Sequence, residues 1–379
     1  MIYFDNNATT KIAPEVFESM KPFLIENYGN PSSSYSFARN SKKAIEQARE
    51  NVAKLLGAND TSEIVCTSGG TESDNWATLG SLELRSDKTH IVTTRVEHEA
   101  VRKVFEKLEL NGYEVTWLEV NEDGTLDLDE VRNFVREDTA LVSIMLANNE
   151  TGVLFRIKEI AEIIKENSDA VFHVDGVNAV GKIPINLKDT QIDLFSISGH
   201  KFYAPKGVGA LYVREGIEIA PNSIGGGQEN QRRAGTEATH QIVGLGKAAE
   251  IVRDLSPMDE VRLLRDKLEN GILHSIPNSV VNGNKEIRLP NTSNISFPNL
   301  NGETILAKLN DLDICVSTGS ACNEETQTVS PVLKAMNVPY SQAMGAIRFS
   351  LGRYNTEDEV DFILETLPEI VAKLRQISP

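Results

Sequence analysis

A lysine in a tight, glycine-rich turn is the first residue of this chain whose setting suggests chemistry. Lys201 lies in Ser196–Gly207, between two apolar stretches, 192–195 and 209–213, that are typical of strands. A lysine is normally exposed and solvated, whereas one restrained between buried strands is suited to Schiff-base chemistry. The alternative is a turn with an ordinary surface lysine, and this stretch alone leaves both interpretations open.

Four further polar features come directly after predicted strands. They are the loop Gly69-Gly70-Thr71, His98, Asn149 and Asp175. In open α/β sheets ligands bind beyond the carboxyl ends of the strands, and backbone amides at a helix N-terminus favour an anion. Each feature also has a structural alternative: a plain helix cap for the glycine loop, a helix-capping histidine, a loop asparagine and an N-capping aspartate.

Together with Lys201, these residues form the set that a pyridoxal phosphate site requires. The phosphate would lie at the helix N-terminus, Asp175 would pair with the pyridinium nitrogen, and Lys201 would form the Schiff base. His98 would stack on the ring, and Asn149 would reach its phenolic oxygen. The glycine loop matches neither the dinucleotide nor the P-loop spacing, and no CxxC pair or Cys/His cluster indicates a metal site.

Two residues of the C-terminal third extend this set. Cys322 lies in a polar stretch, 317–325, where a thiol is exposed and reactive, or else is an incidental surface cysteine. Cys66 and Cys315 lie in apolar strands, and we expect both to be small core residues. Arg348 is in the middle of a predicted strand, so it needs a carboxylate, either in a structural ion pair or from an amino-acid substrate.

The elements that must position these residues alternate between strand and helix over roughly the first 200 residues, which predicts an α/β fold with a mainly parallel sheet. The two adjacent strands around Lys201 predict an antiparallel pair at that point. A long predicted helix ends before Ser256-Pro257, where we place a boundary. The prediction is a large domain, 14–255, and a smaller α+β domain formed by 1–13 and 256–379.

Length and charge restrict the class of protein. A chain of 379 residues favours two domains, and a formal net charge of −17 argues against broad binding to nucleic acids or anionic membranes. No apolar run approaches the length of a membrane span, and the N-terminus lacks the pattern of a secretory signal. Three cysteines, a small and odd number, fit a reducing compartment, so we expect a cytoplasmic protein.

Several motifs, taken together, are more specific than any one of them. They are Ser198-Gly199-His200-Lys201 with Pro205-Lys206-Gly207, His173-Val174-Asp175, Gly70-Thr71-Glu72-Ser73, Asn148-Asn149-Glu150 and Ser317-Thr318-Gly319-Ser320-Ala321-Cys322. With them the chain, from Tyr3 to Arg353, resembles the NifS/IscS-type cysteine desulfurases, which are class V, fold-type I pyridoxal phosphate enzymes. The resemblance implies a fold-type I transferase, whose large domain has a mainly parallel, mixed seven-stranded sheet flanked by helices.

The resemblance also implies a role for each matching residue. Lys201 is then the Schiff-base lysine, and His98 stacks on the ring and acts as acid and base. Asp175 pairs with the pyridinium nitrogen, Asn149 contacts the phenolic oxygen and the substrate, and Arg348 holds the substrate carboxylate. The remaining cofactor-binding positions, largely around the phosphate, are Gly70, Thr71, Ser198, His200 and Thr236. Thr236 would reach the phosphate of a neighbouring subunit, which implies a homodimer.

The chain departs from the family pattern at two places. After the His-Val strand the family usually has Asp-Ala-x-Gln, whereas this chain has Asp175-Gly176-Val177-Asn178. The usual glutamine binds the phenolic oxygen of the cofactor, and Asn178 is one methylene shorter, so we expect a longer or water-mediated contact there. Gly70 stands where alanine is frequent, and we expect that difference to be harmless.

The implied reaction converts L-cysteine to L-alanine, and the thiolate of Cys322 takes the sulfur as a persulfide. An acceptor, such as an iron–sulfur scaffold or a carrier for tRNA thiolation, then receives sulfur or shares a bridging cluster at Cys322. The long Cys322 loop is similar to the NifS/IscS group rather than the SufS group. The alternatives are a selenocysteine lyase or aminotransferase on the same fold, or a scaffold that only binds partners. The Cys322 loop argues against an aminotransferase, and an intact Lys201 argues against a scaffold.

Overall fold

The computed structural model describes residues 1–318 and 329–377. In chain order, the strands are β1 Ile2–Tyr3, β2 Ile64–Thr67, β3 His90–Thr94, β4 Glu114–Leu118, β5 Thr139–Ser143, β6 Val171–Asp175, β7 Leu194–Ser198, β8 Gly209–Val213, β9 Val280–Val281, β10 Thr292–Ser296, β11 Ile314–Cys315 and β12 Ala346–Ser350. The helices are α1 Pro14–Ile25, α2 Ala38–Leu56, α3 Gly70–Glu83, α4 Glu99–Leu110, α5 Leu128–Phe134, α6 Ile157–Asn167, α7 Thr239–Val252, α8 Pro257–Ser275, α9 Gly302–Asn310, α10 Pro331–Ala335, α11 Tyr340–Ala343 and α12 Glu357–Ile377.

A mixed sheet of seven strands in the order β2-β8-β7-β6-β5-β3-β4 carries most of the candidate residues. Strand β8 runs antiparallel to both of its neighbours, and the other pairs in the sheet are parallel. The predicted fold class and the antiparallel pair around Lys201 are therefore confirmed. Parallel strands joined through helices place their carboxyl ends at one edge, which is where a ligand site is expected.

Both faces of this sheet are covered, so the side chains along each strand point alternately into two apolar layers. In β7, Leu194 faces one layer, whereas Phe195 and Ile197 face the other. Phe195 is fully buried, and it fills the space over Gly176, where an added Cβ would lie 1.9 Å from the ring Cζ. The glycine at 176 is thus required by the size of the phenylalanine on the neighbouring strand.

The bounds of β7 differ from the sequence expectation. We expected a strand over 192–195 and a turn from Ser196, but the strand runs to Ser198. The polar side chains are accommodated because the Ser196 hydroxyl hydrogen-bonds His173 Nε2 at 2.9 Å, and Ser198 pairs with Gly209 of β8. The actual turn is the short 3₁₀ segment Gly199–Lys201, directly after the strand.

A third apolar cluster lies outside the large sheet and is built from Phe4 together with side chains between Met258 and Val371. It packs around the antiparallel sheet β12-β10-β9 and the parallel pair β1-β11. The division into 14–255 against 1–13 and 256–379 stays a prediction. Cys66 is buried as expected, whereas Cys315 is only half-buried, so its assignment to the core was wrong. Among the described helices, none is long and apolar enough to cross a membrane.

Candidate active site

The glycine loop after β2 presents the start of α3 to the carboxyl edge of the sheet. Gly69 adopts φ 150°, a conformation that side chains rarely take, and Gly70 begins the helix. The loop is held by the Ser73 hydroxyl, which lies 2.8 Å from Thr67 Oγ1, and by Glu72, which accepts from Ser68 N–H at 2.7 Å. The first-turn amides of α3 keep no side-chain cap, which leaves them available to an anion.

Gly70 is not interchangeable with alanine in this chain. A Cβ at Gly70 would lie 2.7 Å from Val177 Cγ2, closer than real side-chain contacts allow. Valine is stiff at χ1, so the clash cannot be relieved cheaply. The expectation that glycine is harmless at this position stays a prediction, and in this chain Gly70 leaves the space that Val177 occupies.

His98 both caps a helix and faces the cleft. It is the N-cap of α4, and its Nδ1 accepts a hydrogen bond from Ala100 N–H at 3.1 Å. Burial lowers the pKa of His98, although the nearby Asp175 carboxylate acts in the opposite direction. Because Nδ1 is occupied as an acceptor, the neutral ring carries its proton on Nε2. The helix-capping alternative is correct, and it does not exclude a chemical role.

Asp175 ends β6 as a buried carboxylate. Its Oδ1 accepts from Val177 N–H at 2.9 Å, and the residue is only 6% exposed. Burial raises the pKa of this carboxyl, whereas His98, the Val177 amide and Lys201 lower it. A buried carboxyl of this kind is stabilised in its ionised form when a cation binds against it.

Lys201 is restrained by the first residues of the chain. Its Nζ donates to the backbone carbonyls of Asn7 at 2.6 Å and Ala8 at 2.9 Å. The turn is followed by Tyr203 at φ 71°, a conformation that costs about 1–3 kcal/mol for a bulky residue. The backbone N–H of Tyr203 donates to Thr10 Oγ1 at 2.7 Å. Lys201 is therefore not an ordinary surface lysine.

His200, beside Lys201, is neutral at physiological pH. Burial, followed by the positive charges of Lys201 and Lys206, lowers its pKa to about 4. Its Nδ1 shares a hydrogen bond with Thr9 Oγ1 at 3.1 Å, which fixes the ring at the rim of the cleft.

These strand-end residues surround one cleft of about 190 Å³, which we call the central cleft. Nine of the residues predicted from the sequence line it: Gly70, Thr71, His98, Asn149, Asp175, Asn178, Ser198, His200 and Lys201. Four lining residues were not predicted: Asp74, Met145, Ala147 and Val177. Asp74 could have been found, because it follows Gly70 by four positions and must face the same side of α3.

Arg348 does not line the central cleft but lies behind it. It is 5% exposed, and it pairs with Asp5 Oδ1 at 2.6 Å while donating to the Asn149 carbonyl at 3.0 Å. The structural ion pair that was one of the two alternatives is therefore present. Arg348 Nε is buried without an acceptor among the described residues.

Besides Arg348, Thr236 is the described site residue that lies away from the central cleft. Thr236 is exposed and lines a separate cavity together with Ser68 and Gly207. A third cavity, which also contains Ser68 and Gly207, continues to Ser198 and His200 at the cleft. Cys322 lies outside the described residues.

The central cleft fits pyridoxal phosphate on its own chemistry. It combines uncapped helix amides for an anion, a buried carboxyl for a cationic ring nitrogen and a lysine amine. In addition, Asn178 lines the cleft, and its Nδ2 is buried with no acceptor among the described residues. An unsatisfied buried donor at a cleft indicates a place for a ligand oxygen.

Comparison with known proteins gives a consistent result. The sequence profile described as aminotransferase class-V matches residues 2–363. The chain is 53% identical over its full length to a cysteine desulfurase from Trichormus azollae, of which it covers 95%. It is 48% identical, again over its full length, to the cysteine desulfurase NifS of Azotobacter vinelandii, of which it covers 94%.

A solved structure described as a NifS-like protein superposes with a TM-score of 0.93 at 41% identity, over 98% of this chain and all of the other. The match extends over both the large sheet and the C-terminal elements, so it concerns the whole fold rather than one motif. This chain belongs to the aminotransferase class-V family.

Proposed function

We propose that this protein is a cysteine desulfurase that converts L-cysteine to L-alanine and passes the sulfur to an acceptor through Cys322. The observation that carries the proposal is the central cleft, where Lys201, His98 and Asp175 converge with an anion-binding helix start. Family membership and the full-length similarity to cysteine desulfurases support the same activity. Pyridoxal phosphate is the cofactor of this enzyme class.

The chain would hold the cofactor through side chains and amides of the central cleft. Gly70, Thr71, Ser198 and His200 would bind the phosphate, Asp175 the ring nitrogen, and Asn149 and Asn178 the ring oxygen. When bound, pyridoxal phosphate supplies an electron sink for the bonds at the substrate α-carbon. The protein supplies the orientation and the proton transfers.

Lys201 and His98 are the residues that can move protons in the cleft. The Lys201 amine is held within hydrogen-bonding distance of the Asn7 and Ala8 carbonyls, so its position is fixed before substrate enters. His98 has only Nε2 free for exchange, because the helix amide of Ala100 occupies Nδ1. We therefore assign proton transfer at the substrate α-carbon to Lys201 Nζ. We assign a second proton transfer in the cleft to His98 Nε2.

Arg348 is the candidate for binding the substrate carboxylate. Its guanidinium lies against the Asn149 carbonyl, next to the cleft, and the pairing with Asp5 leaves Nε without an acceptor. A substrate carboxylate would have to share or replace the Asp5 contact, which makes Asp5 a competitor for the same cation.

The described residues on either side of Cys322 support a role for this thiol at the cleft. Backbone hydrogen bonds join Ser317 to Arg348, which in turn contacts Asn149. On the other side, the Ser330 hydroxyl donates to the Glu150 carboxylate at 2.5 Å. The two described ends that flank Cys322 are therefore linked to the segment 149–150, whose Asn149 lines the central cleft.

A homodimer is part of the proposal. Ile224 is 98% exposed on the loop that precedes the Thr236 cavity, so a neighbouring subunit that reaches this cavity would cover it. If Thr236 reaches a neighbouring phosphate site, sedimentation should give twice the chain mass of 41.7 kDa, and Ile224→Asp should yield a monomer with weakened cofactor binding. A dimer that persists in Ile224→Asp would remove this loop from the interface.

We also propose that the protein is cytoplasmic. Cys66 and Cys315 are free thiols, and unpaired cysteines are typical of the reducing cytoplasm, where we place the protein.

The decisive experiment is incubation of the purified protein with L-cysteine, followed by measurement of alanine and of a persulfide on Cys322 by mass spectrometry. Cys322→Ala should keep the cofactor absorption and lose sulfide release, whereas the matched control Cys315→Ala should keep both. Full sulfide release from Cys322→Ala would overturn the role of this thiol. Faster turnover of selenocysteine, or transamination of 2-oxo acids, would instead favour the rival activities on this fold.

A further inference from the structure

Lys182 is a buried lysine beside the central cleft that the proposed reaction does not use. It follows Asn178 by four residues, in the turn after β6, and it is 8% exposed. Its Nζ lies 3.0 Å from Asn7 Oδ1, 2.8 Å from the Asn178 carbonyl and 3.0 Å from Asn178 Oδ1. None of these three oxygens belongs to a carboxylate, so the residue is placed for hydrogen bonding rather than for an ion pair.

The three contacts fix the direction of the Asn178 carboxamide. An ammonium has three donors and no acceptor, so the oxygen of the amide must face Lys182 and the nitrogen must face away from it. Burial, followed by the charges of Lys201 and Arg348, lowers the pKa of Lys182. The three surrounding oxygens oppose this effect, because each accepts a proton from the charged form, and we infer the ammonium.

Asn7 is locked in the same network. Its Oδ1 also accepts from Asn291 Nδ2 at 3.0 Å, and its own Nδ2 donates to Thr292 Oγ1 at 2.9 Å. Asn7 therefore cannot turn its amide to offer Lys182 a donor. The backbone carbonyl of this same asparagine holds Lys201 Nζ, so Lys182 and Lys201 are joined through a single residue.

The opposite end of the Asn178 amide has no partner in the described part of the chain. Asn178 lines the central cleft, and its Nδ2 is buried and unsatisfied. A buried donor without an acceptor is unfavourable, so the arrangement is complete only when an oxygen of a bound group occupies that position.

We propose that Lys182 is a positioning residue that holds the Asn178 carboxamide with Nδ2 directed at the anionic ring oxygen of pyridoxal phosphate. The proposal rests on the cofactor assignment made above and deepens it. It also accounts for a shorter asparagine at this position, because a side chain fixed at its oxygen loses little freedom when it donates to the cofactor.

The test is a double-mutant cycle on the binding of the cofactor. Apo-protein is titrated with pyridoxal phosphate for the wild type, Lys182→Met, Asn178→Leu and the double variant, with the visible absorption maximum recorded at saturation. We expect Lys182→Met and Asn178→Leu each to weaken cofactor binding by about tenfold or more and to shift the absorption maximum in the same direction. The double variant should be no weaker than Asn178→Leu alone. Lys188→Met, an exposed lysine of the same segment, is the matched control and should leave both readouts unchanged.

Asn178→Asp separates orientation from folding. The new carboxylate keeps an acceptor for Lys182, so the protein should stay folded, but the donor to the cofactor is lost and the spectral shift should match that of Asn178→Leu. The proposal is overturned by an unchanged spectrum in Asn178→Asp, by wild-type affinity in Lys182→Met, or by losses that multiply in the double variant. These readouts need only bound cofactor. A wild type that makes no alanine from L-cysteine would therefore count against the proposed activity and not against the positioning role of Lys182.

Discussion

Gly176→Ala is the substitution whose effect follows most directly from the structure. It restores the alanine that is usual in the related pattern, yet its Cβ would lie 1.9 Å from Phe195 Cζ, 2.1 Å from Cε1 and 2.7 Å from Cε2. Ordinary carbon contacts are about 3.5–4.0 Å, so the ring would have to move by about 1.5 Å or more. Phe195 is fully buried in a strand with partners on both sides, and it has no space into which to retreat.

Overpacking of this kind costs typically about 1–3 kcal/mol, and the buried, doubly paired strand places Gly176→Ala at the upper end. Phe195→Leu removes the ring atoms that clash, so the double variant Gly176→Ala/Phe195→Leu should recover at least about 1 kcal/mol relative to the sum of the single changes. The assay is equilibrium unfolding by urea, followed by far-UV circular dichroism.

Gly227→Ala is the matched control, because no atom lies within 4 Å of a Cβ there and its φ of −80° suits alanine. It should change the free energy of unfolding by less than about 0.5 kcal/mol. The reasoning is refuted if Gly176→Ala is as stable as the control, or if the effects of the two single changes simply add.

Three other predictions concern the site itself. His98→Asn should keep the helix cap and unfolding free energy, because asparagine is a good N-cap, but lower kcat by about 10²–10⁴-fold; equal losses of stability in His98→Asn and His98→Ala would contradict this. Burial raises the pKa of Glu150 from 4.5 to about 7, so its contribution to stability is complete below pH 4.5 and is lost as the pH rises to about 7. Glu150→Gln should therefore remove about 3 kcal/mol of pH dependence between these values, measured by urea unfolding at a series of pH values, and an unchanged slope would be evidence against it. Arg348→Ala should raise KM for L-cysteine at least about tenfold and destabilise the chain by about 1.5–3 kcal/mol, because the half-buried Asp5 carboxylate loses a charge-assisted hydrogen bond; an unchanged KM measured in steady-state kinetics would limit Arg348 to the ion pair.

Much of the candidate site could be predicted because parallel strands bring their ends together. Gly70, His98, Asn149 and Asp175 are far apart in the sequence, but each ends or follows a strand of one sheet, and the structure places all four around one cleft. Strand order was not needed for this result, since the alternation of strands and helices already puts the carboxyl ends at one edge.

The partners of these residues could not be predicted in the same way. Lys201 is held by Asn7, which is 194 positions away, and Arg348 pairs with Asp5 across 343 positions. No periodicity links such residues, because the contact depends on how the two ends of the chain pack together. Lys182 offered one local signal, its spacing of four from Asn178, but a buried lysine without a carboxylate partner is rare and is not expected from sequence.

The error in the bounds of β7 has a specific physical cause. Serine is frequent in turns, so Ser196 and Ser198 favour a turn on the local sequence alone. Inside this sheet, however, Ser196 hydrogen-bonds His173 on the adjacent strand, and the tertiary contact satisfies a hydroxyl that the local sequence leaves unpaired.

The hold of the N-terminal segment on Lys201 has a consequence for biosynthesis. Asn6 and Asn7 bond to Ser350, and β1 pairs with β11, so the first residues reach their final places only after the last strand has been made. Closing loops of this length is slow and entropically unfavourable compared with local folding. The large sheet can therefore form before β12 is made, whereas Lys201 is positioned only after it, and we expect cofactor retention to require the chain up to Ser350.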